Sequence, residues 1–168
     1  MDIPSYGGDT LWANTVRAYE TLSETMKTML EPLKGHMSGR RILAAMKNSG
    51  AGANQAFASM DLDPNEQDLF DGTHHPLVRT HPVTNKRSLY VDESYAIGAK
   101  GLSKYEAELL VTFLCRHITQ PIFSCRLRWE KNTFVMWDNR SCLHHAFNDR
   151  DGFRREMLRT IVAAETPC

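Results

Sequence analysis

A mainly β fold with helices packed outside the sheets is predicted by three features of this chain. Short stretches of alternating apolar and polar residues recur, turn residues separate them at roughly eight- to twelve-residue intervals, and two further segments carry helical spacing. From Trp12 to Leu33 the apolar positions Val16, Tyr19, Leu22, Met26, Met29 or Leu30, and Leu33 fall at steps of three and four. That spacing predicts one helix face, or two short helices broken near Ser23, closed by Pro32, Gly35 and Gly39.

Residues 36–72 change texture. Gly50, Gly52, several alanines and methionines and the run Asp61-Leu62-Asp63-Pro64-Asn65-Glu66 read mainly as a long loop, with room for a short helix around Arg41–Lys47. A loop of this length in a compact domain is a functional lid or disordered, and a lid is the expectation here. Leu77–Thr80 and Ser88–Val91 then flank Pro82-Val83-Thr84-Asn85-Lys86 as a hairpin. Ser103 and Glu106 have the form of a capping box, opening a helix whose expected core face is Leu109, Leu110, Phe113, Leu114, His117 and Ile118, with Pro121 past its end. Cys125, Leu127 and Trp129 alternate with Arg126 and Arg128 as a strand. Asn132–Trp137 is expected as a second, and Glu156–Ala164 as a last, with Met157, Arg159, Ile161 and Ala163 on one face.

One domain over 1–168 suits this length, and no internal repeat is present. Twenty basic and twenty acidic residues leave a formal net charge of zero, which argues against nucleic acid or a membrane surface held by bulk electrostatics. A small anion gripped by a few arginines stays open. Cys115, Cys125, Cys142 and Cys168 show no paired spacing and read as reduced thiols. The chain starts with neither a basic nor an apolar leader region, and no apolar run reaches about 18 residues. A cytoplasmic protein is expected.

Polar chemistry is densest in Trp137-Asp138-Asn139-Arg140-Ser141-Cys142-Leu143-His144-His145, followed by Arg154, Arg155 and Arg159. On a strand Arg155 and Arg159 share parity with Met157, Ile161 and Ala163, so they are expected on an inward face, where a guanidinium needs an anionic partner. A bound carboxylate or sulfonate suits that planar fork. Singly, His144 reads as a structural histidine and Arg155 as a surface or ion-pair residue. Together they leave an anion site and a structural cluster evenly weighed.

Four blocks resemble, in order and spacing, those of the taurine dioxygenase (TauD/TfdA) family. They are Gly7-Gly8-Asp9-Thr10-Leu11-Trp12, His75-Pro76-Leu77-Val78-Arg79-Thr80-His81-Pro82-Val83, Trp137-Asp138-Asn139-Arg140 with His144, and Arg154-Arg155 with Arg159. The resemblance runs from about residue 6 to residue 166 and loosens in 36–72. It implies a double-stranded β-helix, the cupin-like jelly roll, incomplete towards the N-terminus. It also implies Fe(II), 2-oxoglutarate as co-substrate, and hydroxylation of a small anionic, sulfonate-like substrate with release of succinate and CO2. Carried over by position, His144 resembles the distal iron ligand. Thr10 and Arg155 resemble the residues on the far carboxylate of 2-oxoglutarate. Arg159 resembles the residue on the substrate anion, and Tyr95 falls near an aromatic pocket position. His145 is expected to point away from His144, while His75 and His81 are expected to be structural.

The pattern departs from the family in one respect. The family's H-x-D/E iron-ligand pair precedes the Gly-Gly-Asp-Thr block, and none of the histidines at 36, 74, 75, 81, 117, 144 and 145 is followed two residues later by Asp or Glu. Truncation of a longer enzyme is the leading reading. A complementing chain in an oligomer, or a non-catalytic relative that binds anions or proteins, are the alternatives. Loss of neighbouring strands would leave apolar edges exposed.

Overall fold

The computed structural model describes residues 3–42, 44, 70–149 and 152–162. In chain order the strands are β1 (Thr10–Asn14), β2 (Lys34–Met37), β3 (Thr73–Pro76), β4 (Val78–Thr80), β5 (Arg87–Leu89), β6 (Ala96–Ala99), β7 (Ser124–Leu127) and β8 (Cys142–Ala146). The helices are α1 (Thr15–Glu20), α2 (Glu24–Leu30) and α3 (Lys104–Ile118). The chain divides into two compact units, one of Met1–Leu22, Arg79–Leu89 and Arg116–Cys168, the other of Ser23–Val78 and Tyr90–Cys115.

In the first unit β1 lies between β7 and β8, antiparallel to both. Trp12, expected at the head of a helix, is in this strand instead. The helix starts only after Asn14, whose side-chain oxygen accepts from the Arg17 N–H at 3.0 Å and so caps a free donor of the first turn. Val16, Ala18 and Tyr19 are buried on α1, which packs against β5. The hairpin expected at Leu77–Val91 is formed by β4 and β5. Its turn closes through His81 N–H to Lys86 C=O and Asn85 N–H to His81 C=O, both 2.8 Å, with Asn85 at φ 55°.

The second unit holds a sheet in the order β3-β2-β6, all pairs antiparallel. His36 and Met37 of β2 fall in sequence expected to be loop, while β3 and β6 lie outside that segment; most of the expected lid, and of the short helix at 41–47, lies outside the described residues. Ser23 caps α2, accepting from Met26 N–H at 3.2 Å, so the predicted break near Ser23 is where the helices part. His36 and His74 pair across β2 and β3 with rings stacked 4.6 Å apart.

The capping box forms as predicted. Ser103 N–H donates to Glu106 at 2.8 Å and Glu106 N–H to Ser103 at 3.4 Å, and these bonds hold the Glu106 carboxyl below its ordinary pKa. The buried face of α3 keeps Leu114 and Ile118 of the expected one and leaves out Leu109 and Phe113. Ala107, Val111, Leu114 and Ile118 are buried, whereas Leu109 and Phe113 are exposed. Both sets satisfy a three–four spacing, and tertiary packing selects the row with the smaller residues at its start.

Two expected strands do not form. Residues 133–137 and 153–162 have irregular backbone, because no strand among the described residues lies alongside to take up their ladder bonds. Arg159 is accordingly exposed and does not sit on an inward sheet face. Phe134, Met136, Leu158 and Val162 are each more than 80% exposed (86%, 84%, 82% and 88%), the apolar exposure expected of an unpaired edge.

The α3 assignment has a direct check in urea unfolding. Leu114→Ala, at a fully buried position, is expected to cost about 2–5 kcal/mol, and Leu109→Ala, on the exposed row, less than about 0.5 kcal/mol. Equal costs would overturn the assignment.

Candidate functional site

The candidate site is built on one face of the β7-β1-β8 sheet. Residues paired across antiparallel strands share a face, and the register sets Trp12 opposite His144 and Thr10 opposite Ala146. Thr10, Trp12 and His144 therefore project to the same side, with His145 on the other, as expected. Thr10 and Trp12 are 4% and 8% exposed. The Trp12 ring lies 6.3 Å from that of Trp129 and 5.3 Å from that of Trp137, and Trp137 lies 5.2 Å from His144. Trp137 thus stands beside the imidazole, and Trp12 and Trp129 continue the aromatic row towards Thr10. Trp129 Nε1–H donates to Thr10 Oγ1 at 2.9 Å, while the buried Trp12 Nε1–H has no acceptor among the described residues.

The loop into β1 is pinned from the other end of the chain. Gly8 N–H donates to the Asp149 carboxylate at 2.7 Å, which lowers the pKa of that carboxyl. Gly7, at φ 72°, passes so close that an added Cβ would stand 2.4 Å from the Asp149 carbonyl oxygen. Arg126 Nε donates to Asp9 at 2.8 Å across β7 and β1. The Gly7-Gly8-Asp9-Thr10 block is in this way a clamp that sets the height of Thr10.

A second clamp holds the turn before β8. Asp138 takes hydrogen bonds from Arg140 Nη2 at 2.7 Å and from its Nε and backbone N–H at 2.9 Å, and it meets His81 Nε2 at 2.9 Å. The Arg140 bonds chiefly, with His81 assisting, hold the Asp138 carboxyl well below the usual carboxylate range. His81 is buried, and its Nδ1 accepts from the N–H groups of Val83 and Thr84 at 3.2 Å, so Nε2 carries the proton towards Asp138. Cys142 donates its thiol to Asp138 C=O at 3.1 Å, and burial raises that thiol to about 11. His81 is structural, as predicted, but its partner was not legible from its position before Pro82.

In its partners His144 differs from His81 and His117. Both nitrogens of His81 are engaged, and so are both of His117, through Ala18 C=O at 2.8 Å and Gln120 at 3.2 Å. Neither nitrogen of His144 has a hydrogen-bond partner among the described residues. The ring keeps an exposed edge, yet desolvation first, then the charges of Arg159 and His145, lower its pKa from 6.5. It is a neutral imidazole with an available lone pair at neutral pH. Arg155 is half-buried. Tyr95 belongs to the second unit, where its backbone C=O accepts from Ser38 N–H at 2.8 Å. It lines a hollow of about 420 Å³ with Met37, Ser38, Gly39, Asp71, Gly72 and Thr73.

The profile of the family described as taurine catabolism dioxygenase TauD, TfdA family matches residues 2–161. The chain belongs to that family. Among its relatives, an alpha-ketoglutarate-dependent sulfate ester dioxygenase of Pseudomonas putida is 31% identical over 98% of this chain and 53% of its own length. An alpha-ketoglutarate-dependent sulfonate dioxygenase of Saccharomyces cerevisiae is 31% identical over 98% of this chain and 37% of its own. Among solved structures, a taurine dioxygenase from Burkholderia xenovorans superposes with a TM-score of 0.68 at 34% identity, over 88% of this chain and 43% of that one. AAD-2, in complex with Mn(II) and N-oxalylglycine, superposes at 0.69 and 30% identity, over 86% and 52%. The jelly roll implied by the sequence blocks is the fold of these TauD-type neighbours, and the chain spans about half the length of the relatives it matches.

Sequence reasoning singled out Thr10 and His144, which share the sheet face, but missed the aromatic row. Trp12 has the strand parity of Thr10, and Trp129 that of Leu127, so alternation alone carried the signal.

Two measurements follow from this geometry. His144 is expected to titrate below 6.5 by NMR, and Arg159→Ala to raise its pKa part of the way, since desolvation remains. Folded His144 binds its proton less tightly than unfolded chain does, so its contribution to stability declines as pH falls from 6.5 through the lowered value. An unchanged titration in Arg159→Ala would place that charge elsewhere. Separately, Asp138→Asn is expected to cost about 1–2 kcal/mol in unfolding, a figure held down because the carboxylate is partly exposed.

Proposed function

We propose that this chain supplies the co-substrate- and substrate-binding part of an Fe(II)- and 2-oxoglutarate-dependent dioxygenase that hydroxylates a small anionic, sulfonate-like molecule. The observation that carries this reading is the shared sheet face of the buried Thr10 hydroxyl and the His144 imidazole, with Trp129 on the hydroxyl and Trp137 beside the imidazole. Family membership and the sulfonate and sulfate ester dioxygenases among the relatives support it.

In this reading Thr10 and Arg155 hold the far carboxylate of 2-oxoglutarate, a hydroxyl donor beside a planar fork. Arg159 takes the substrate's anionic group. The indoles exclude water from the reacting groups and His144 presents a lone pair for the metal. The donors of this sequence do not fit a complete iron centre. No H-x-D/E is present, and among the described residues no three His, Cys, Asp or Glu side chains gather to hold an ion. Binding and orientation are therefore this chain's own work, and oxygenase turnover depends on carboxylate and histidine ligands from polypeptide beyond these residues. The missing pair also favours a second reading, a non-catalytic module that binds anions or another protein through the same site.

Calorimetric titration of the 168-residue chain with 2-oxoglutarate tests the proposal. Binding is expected, weakened by about tenfold or more in Thr10→Val and in Arg155→Ala, and anaerobic Fe(II) added with 2-oxoglutarate is expected to give no stoichiometric visible chelate band. No binding at millimolar 2-oxoglutarate would overturn the reading. Full sulfonate turnover by the isolated chain would overturn its restriction to binding.

A further inference from the structure

We propose that Trp129 is a positioning residue: its indole N–H fixes the Thr10 hydroxyl as a hydrogen-bond donor aimed at a ligand carboxylate. This rests on the co-substrate reading of Thr10 given above and assigns a role to a residue outside that set.

A threonine hydroxyl has one hydrogen and two lone pairs, and it rotates to suit its surroundings. An indole nitrogen only donates. The 2.9 Å contact between Trp129 Nε1 and Thr10 Oγ1 therefore has one polarity, with the indole hydrogen on a threonine lone pair. One lone pair is occupied, so the hydroxyl hydrogen turns away from the indole and needs an acceptor of its own. Thr10 is 4% exposed, and among the described residues no acceptor for that hydrogen is present. A buried donor without an acceptor is costly in the free protein and becomes a preformed contact when a carboxylate arrives.

Trp129 is itself held in place. Its ring is tilted against that of Trp12, 6.3 Å between centroids, and Trp12 is buried in the middle strand. The chain follows β7, which is tied to β1 through the Thr10–Leu127 and Trp12–Cys125 pairs. The donor is thus fixed to the same strand as the hydroxyl it orients. Without it, the hydroxyl rotates freely and presents its hydrogen to a ligand only part of the time. The chain of indole, hydroxyl and carboxylate also polarises each bond through the next, which strengthens the outer contact.

The test uses the wild-type 168-residue chain, Trp129→Phe, Thr10→Val and the double variant, with 2-oxoglutarate as the probe. In the free wild-type protein the Trp129 indole N–H resonance is expected downfield and slow to exchange with water, and in Thr10→Val it moves upfield and exchanges faster. Trp129→Phe, with unfolding midpoint and near-UV dichroism compared to wild type, is expected to weaken 2-oxoglutarate binding about tenfold, the effect of losing one hydrogen bond to a charged group. The double variant is expected to bind no more weakly than Thr10→Val, because the indole acts only through the hydroxyl. Thr10→Ser, which keeps the hydroxyl, restores sensitivity to Trp129→Phe. Wild-type binding with Trp129→Phe unaffected overturns the Trp129 assignment alone, as do additive losses in the double variant. Absence of binding by the wild type overturns the co-substrate reading and this inference with it.

Discussion

The pairing of β1 on both of its edges is the constraint on which the rest of the candidate site depends. Four residues, Thr10–Ala13, are held between β7 and β8, so each of their side chains has its face assigned twice over. A slip of one residue against either neighbour would turn Thr10 and Trp12 to the opposite side and break the aromatic row. The two clamps act on the ends of this arrangement. Asp149 and Arg126 hold the entry to β1, and Asp138, gripped by Arg140 and His81, holds the turn that delivers β8. Ionic hydrogen bonds among short side chains do at the edges what apolar burial does at Trp12.

Much of this was legible wherever the chain states its intention locally. The capping box at Ser103 and Glu106, the break at Ser23 and the Leu77–Val91 hairpin each depend on residues within a few positions of one another, and each formed. What misled was information held elsewhere in the chain. Helical spacing on α3 was real for two rows of residues, and only packing could choose Ala107, Val111, Leu114 and Ile118 over Leu109 and Phe113. Trp12 reads equally well as a strand residue or a helix start, and the Asn14 cap decides it. The expected strands at Asn132–Trp137 and Glu156–Ala164 had the right alternation and, over their described residues, no ladder to join. Alternation specifies a face; pairing specifies a strand.

The candidate site shows the same division. Thr10 and His144 were named from blocks of sequence and share one face of the sheet, because a strand's parity survives translation into space. The hydrogen bond from Trp129 to Thr10 and the link from His81 to Asp138 span 119 and 57 residues respectively, and nothing in local spacing announces either. For that reason the positions that orient the named residues are harder to find than the named residues themselves.

The exposed side chains of Phe134, Met136, Leu158 and Val162 also govern how this chain behaves as a solute. Formal net charge is zero, so near neutral pH there is no long-range repulsion to keep two molecules apart. Sulfate and phosphate strengthen apolar association by being excluded from protein surfaces. The buffers and pH natural to an assay on sulfonates or sulfate esters are then the conditions under which these molecules adhere most readily. Dilution, low ionic strength of a weakly salting-out anion and a pH displaced from neutrality are the physical remedies.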